Sequence, residues 1–181
     1  MAYSAPTTKT TGTLITSTIW NQDVVDNVLF LANPPACRVY NSISQNITDN
    51  TELALTFDSE RFDTDNMHST SSNTSRITFN TAGVYIVTFT CELPADTTYQ
   101  RVYAHIKLNG ATSLAVSDSY AMTSSGYGAA VFVNVTTIYK FAATNYVQAL
   151  VFQDNSGGAA KSALASPNYS AEFAACWVGL G

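Results

Sequence analysis

Apolar and polar residues alternate with a period of two along most of the chain, and one stretch departs from that rule. It is IWNQDVVDNVLFLANPP, Ile19 to Pro35. Trp20, Val24, Val28 and Leu31 recur there at helical spacing, and Val25 and Leu29 widen the stripe. Ser17 and Thr18 are candidate N-caps, and Asp23 and Asp26 fall in early turns, where the helix dipole favours negative charge. Pro34 and Pro35 end the helix, because proline lacks an amide hydrogen and restricts the residue before it. The pattern predicts one short α-helix of about 14 residues, roughly 20 Å long and marginal by itself. Its stripe therefore needs a cover. That cover is either the chain's own β-domain or a second body, against which the helix would act as a docking plug or trimer stem. Residues 1–16, ahead of the helix, form an extended Thr/Ser-rich arm too polar to fold alone.

From Ala36 onward the period is that of strands. In RVYAHIKLNG, Val102, Ala104, Ile106 and Leu108 face one way, and Arg101, Tyr103, His105 and Lys107 face the other. Asn109-Gly110 then supplies a hairpin turn. YVQALVF repeats the alternation, with Val147, Ala149 and Val151 opposed to Tyr146, Gln148, Leu150 and Phe152. Other strands are apolar on both faces. VYIVTFTC sets Tyr85, Val87, Phe89 and Cys91 against Val84 and Ile86, and AAVFVNVTTIY and FAACWVGL behave alike. Such strands in an antiparallel sandwich need a second cover. No further helix is available, so the expected cover is another copy of the chain, placed against Val84, Ile86 and their neighbours. The residues alone suggest an all-β, oligomeric sandwich of about nine strands.

Composition narrows the function. The chain has 181 residues, enough for one filled domain and a small appendage, and 46% of them are apolar. Only 12% are charged, about half the usual share. Thirteen acidic residues outnumber eight basic ones, and the basic ones stand singly, so nothing tracks a nucleic-acid backbone. The N-terminus has no apolar core of a secretory signal, and no apolar run approaches the roughly 18–20 residues that span a bilayer. The reading is a protein made in the cytoplasm, without membrane insertion. His68 and His105 are the only histidines, and no nucleophile elbow, phosphate loop or zinc spacing is present. The expectation is a non-enzyme without cofactors.

The stretch Leu53 to Leu93, LALTFDSERFDTDNMHSTSSNTSRITFNTAGVYIVTFTCEL, resembles the globular head of complement C1q and the tumour necrosis factor ligands. Bacteriophage and bacterial versions of that domain are the closest in pattern. The resemblance continues through RVYAHIKLNG to the closing EFAACWVGLG, and Gly83-x-Tyr85 matches the family's turn into a central strand. It covers residues 36–181 and implies an antiparallel ten-strand jelly roll forming a homotrimer. It also implies that Cys37, Cys176 and Cys91 lie on neighbouring strands, either as buried thiols, which a cytosolic origin favours, or with one disulfide. A second resemblance lies in GTLITSTIWNQDVVDNVLFL, which is similar to a segment near the start of phage tail and minor structural proteins. Trp20-Asn21 and Asp26-Asn27 carry it.

Two further features have bland and sharp readings. Asp58, Glu60, Asp63 and Asp65 put four carboxylates in eight residues, a set that suits calcium or a solvated loop in which Arg61 is ion-paired. Tyr120, Tyr127 and Tyr169 lie in or beside loops that are either plain connections or ligand contacts. The whole reads as a virion protein in two parts. Residues 1–35 attach it to the capsid or tail of a phage through Trp20, Val24, Val28 and Leu31; residues 36–181 form the trimeric knob. The job is structural, as capsid decoration, head fibre or tail appendage, or else adhesive, with the knob loops recognising a host surface glycan or protein. An ordered polar arm needs something to hold it, which favours the structural job.

Overall fold

A computed structural model describes residues 3–120, 130–166 and 170–181, with the backbone alone at Tyr120. The chain runs through a helical segment into twelve strands among the described residues. These are β1 (Ala36–Tyr40), β2 (Gln45–Ile47), β3 (Thr51–Ala54), β4 (Ser59–Asp63), β5 (Arg76–Thr78) and β6 (Gly83–Leu93). They continue as β7 (Tyr99–Leu108), β8 (Thr112–Tyr120), β9 (Val131–Phe141), β10 (Tyr146–Asn155), β11 (Lys161–Ala163) and β12 (Glu172–Gly179). One five-stranded sheet has the order β4-β1-β12-β6-β9; the other has β3-β10-β7-β8, with β5 also paired to β10. A two-stranded ladder of β2 and β11 stands apart. Every pairing is antiparallel.

The period-two pattern accounts for which side chains are inside. Val102, Ala104 and Ile106 of β7 and Val147, Ala149 and Val151 of β10 are buried, and their alternates are half-buried, except that Phe152, expected to face out, is buried by stacking on Tyr103 at 4.4 Å. In β6 the buried side chains are Tyr85, Val87, Phe89, Cys91 and Leu93. Tyr85 can be buried because its hydroxyl donates to the Thr81 carbonyl oxygen at 2.7 Å. Rings fill the space between the sheets: Phe57 stacks on Phe173 at 5.7 Å, and Phe79 on Phe141 at 3.9 Å. The β7–β8 hairpin turns at Asn109 and Gly110, with φ of 50° and 71°, as the right-handed twist of the strands prefers.

The helical segment begins one residue earlier than expected. Thr16 is the N-cap, its hydroxyl accepting from the Ile19 amide at 3.3 Å, and Ser17 and Thr18 are helical. It runs as α1 (Ser17–Trp20), a π-helical turn (Asn21–Val25) and α2 (Asp26–Ala32), ending at Asn33 ahead of the two prolines. No helix among the described residues is long and apolar enough to cross a membrane.

The acidic stretch is also different from its sequence reading. Ser59–Asp63 is not loop but β4, the edge of the first sheet. Two cysteines, Cys37 and Cys91, are buried as expected, whereas Cys176 is exposed. The three do sit on the adjacent strands β1, β12 and β6, yet all are free thiols. Cys176 pairs in register with Ala36 and Ile86, so it points away from the core that holds its two fellows.

Candidate assembly interface

The outer faces of the two sheets differ in chemistry. On the second sheet, the charged outward positions are ion-paired within the chain, with Val116 open beside them. Arg101 meets Asp118 at 2.7 Å, while Glu52 takes both Lys107 and, at 2.8 Å, His105. His105 is thus half-buried on the polar side of β7, with Nδ1 close to the Glu52 carboxylate. The first sheet instead turns apolar side chains outward. Ile138 is 65% exposed, Phe132 62% and Ile86 38%, and Val178 and Leu180 are open as well. Val84 is half-buried on the same side.

Strand register sorts this face into bands. Cys176, Ile86 and Ile138 lie in one row across β12, β6 and β9. The next row is Ala174, Thr88 and Thr136, in which the Thr136 hydroxyl donates to that of Thr88 at 3.0 Å. The row after that holds Glu172, Thr90 and Asn134. Glu172 takes Arg38 on one oxygen and Arg61, at 3.0 Å, on the other. The face is therefore greasy near the helix end of the sandwich and polar beyond it, with Phe132 exposed again at the far end in register with Glu92.

The helix presents a second open surface. Phe30 is its one buried apolar residue, packed edge-on against Trp177 of β12 at 5.0 Å and against Tyr3 of the arm at 6.1 Å. Trp20, Val24, Val28 and Leu31, the stripe read from the sequence, all face outward, with Leu31 61% exposed. The chain's own β-domain is thus not their cover.

What holds the arm is the helix itself. The buried Asn27 side chain accepts from the Ser4 amide at 3.1 Å and donates to the Ser4 carbonyl oxygen at 2.8 Å. It also donates to the Asp23 carbonyl oxygen at 3.1 Å. Gln22 reaches the Ser4 hydroxyl at 3.3 Å, and Lys9 closes on the Asp23 carboxylate at 2.8 Å. That lysine, with help from Thr7, holds the Asp23 carboxyl below its ordinary range. An ordered arm is accordingly no argument for an external holder. Replacing Asn27 by Ala should free residues 3–9 and raise their amide exchange, while the melting temperature of the sandwich stays within about 2 °C. Unchanged exchange in the arm would show that the clasp is elsewhere.

The calcium candidates are not brought together. Asp58 accepts from the Ser42 amide and hydroxyl, and Glu60 lies 2.9 Å from His68 Nδ1. Asp63 accepts from the amides of Asp65 and His68, and Asp65 from the Thr81 hydroxyl. No group of three metal-binding side chains exists among the described residues. Arg61 is ion-paired, but to Glu172 and not within the run. Of the loop tyrosines, Tyr127 and Tyr169 and the Tyr120 side chain lie outside what is described.

No known protein family matches the chain in sequence, and no curated protein does. Its fold does have relatives among experimental structures. The globular domain of the zebrafish complement 1qA protein aligns at a TM-score of 0.57 with 14% identity, covering 81% of this chain and 99% of that one. Eiger TNF from S. frugiperda aligns at 0.59 with 11% identity, covering 81% and 95%. Murine APRIL aligns at 0.57 with 7% identity, covering 78% and 98%. The chain has a C1q/TNF-like jelly-roll fold, as its sequence suggested.

Proposed function

We propose that this is a non-enzymatic structural subunit that assembles as a homotrimer and is carried on a larger particle. The observation that bears most weight is the apolar row Cys176, Ile86 and Ile138, open across three strands of one sheet, while the charged groups on the other sheet's outer face are ion-paired. Three copies related by a threefold axis would bury that row, and the fold relatives are compatible with such a closure. The arm and helix then form the attachment unit. The arm covers the polar back of the helix, and the apolar stripe at Trp20, Val24, Val28 and Leu31 stays free to meet another protein. The particle we infer is a phage virion, on the strength of the Trp20-Asn21 and Asp26-Asn27 segment.

The test is co-sedimentation of full-length protein with virions assembled without it. Changing both Trp20 and Val28 to Ser removes two large apolar contacts, each worth about 1.5 kcal/mol or more, so binding should fall about 100-fold. Mass and melting should not change, because both side chains are already exposed. Undiminished binding would remove the stripe from the docking role.

A further inference from the structure

Between the helix and the base of the sandwich lies a cavity of about 240 Å³, lined by Leu29, Phe30, Asn33, Pro35, Thr64 and Asp65. Two polar groups of its rim are already bonded: the Thr64 hydroxyl donates to the Pro34 carbonyl oxygen at 2.8 Å, and the Asp65 carboxylate accepts from Thr81 at 3.0 Å. The remaining wall is Leu29, about half exposed, beside the buried Phe30 ring. The apolar part of this wall, Leu29, Phe30 and Pro35, suits an aliphatic side chain.

An exposed aliphatic segment sits at the same end of the molecule. Val178 and Leu180 are 49% and 47% exposed at the close of β12. In its own chain this tail is drawn away from the cavity. Lys140 of β9 donates to the Gly181 carbonyl oxygen at 2.6 Å, so the tail crosses toward β6 and β9. The cavity lies on the other flank, beside β1 and β4, since Pro35 precedes β1 and Thr64 follows β4. Knob and hole therefore occupy opposite flanks of one sheet, at the same height along the strands. A cyclic assembly about an axis running along the strands needs that arrangement, because each contact joins one flank of a copy to the opposite flank of the next.

We propose that, in the assembled protein, Leu180 of each copy enters the cavity between the helix and the sandwich of the next copy. The occupant is thus a second copy of this chain. The inference rests on the homotrimer reading and adds a consequence to it. A filled cavity presses on Leu29 and fixes the helix, so assembly of the knob sets the attachment unit.

The test is a cysteine pair, Leu29→Cys with Leu180→Cys, placed in a Cys176→Ser background and oxidised mildly at the native oligomer. The remaining thiols, Cys37 and Cys91, are buried, and burial pushes Cys91 up to about 12, so they stay silent. The expected result is covalent dimers and trimers on a denaturing gel, with neither single-cysteine variant giving them. In parallel, Leu180→Asp should weaken assembly at least about tenfold and speed amide exchange over residues 17–32. A trimeric parent that forms no cross-link, with Leu180→Asp unchanged in mass and helix exchange, overturns this inference and leaves the trimer standing. A monomeric parent overturns both.

Discussion

Replacing Ile138 by Asp should turn the assembled protein into folded monomers. Ile138 is 65% exposed in the single chain, so the change costs the isolated fold little. In a closed threefold contact the same position is dry. Losing a buried isoleucine gives up about 1.5–3 kcal/mol, and leaving a carboxylate there unpaired costs several more. Together that is roughly a thousandfold or more in dissociation constant. Ile86→Asp, in the same row, should act alike. Val116, 54% exposed on the other sheet, is the control: Val116→Asp should leave the mass unchanged. Light scattering during gel filtration reads all three. If Ile138→Asp kept the parent's mass, the open row would not be the interface.

Gly83→Ala should be the most damaging single methyl in the sandwich. Gly83 opens β6 with φ of 155°, a region side chains avoid. A Cβ there would stand 2.2 Å from Trp177 Nε1 and 2.7 Å from the Gly179 carbonyl oxygen. Neither can yield easily, because Trp177 is packed on Phe30 and Gly179 is paired to Val84. Strain and overpacking together should cost about 3 kcal/mol, or a fall of about 6–12 °C in melting temperature. Because Trp177 also carries Phe30, the helix should loosen with it. A shift below 2 °C would mean that the base of the sandwich is more yielding than its packing implies.

The strands with one covered face were largely legible: alternation in β7 and β10 names Val102, Ala104, Ile106, Val147, Ala149 and Val151, but it places Phe152 outside although it is buried, and Leu108 inside although it is half-buried. Gly83-x-Tyr85 was legible through the resemblance to the C1q and tumour necrosis factor domains, and the structure adds its reasons, a positive φ at Gly83 and a buried Tyr85. β4 was not: Ser59–Asp63 carries polar residues on both sides, as an edge strand does, and so reads as loop. That misreading made the carboxylates look gathered, whereas strand geometry and separate hydrogen-bond partners disperse them. The packing of Phe30 and the clasp made by Asn27 were missed for a different reason. Their partners, Trp177 and Ser4, are remote in sequence, so a helical stripe shows only which residues are apolar and not which the tertiary fold selects. The interface was half visible. Val84 and Ile86 stood out on β6, but Ile138 joins them only once β6 and β9 are in register.

The most direct test is the mass of the full-length protein in solution, measured by sedimentation across a hundredfold range of micromolar concentration. A single species of three times the 19.4 kDa protomer mass is the predicted result. A species at the protomer mass throughout that range would contradict it, and would leave the apolar face of the first sheet for some other partner to cover.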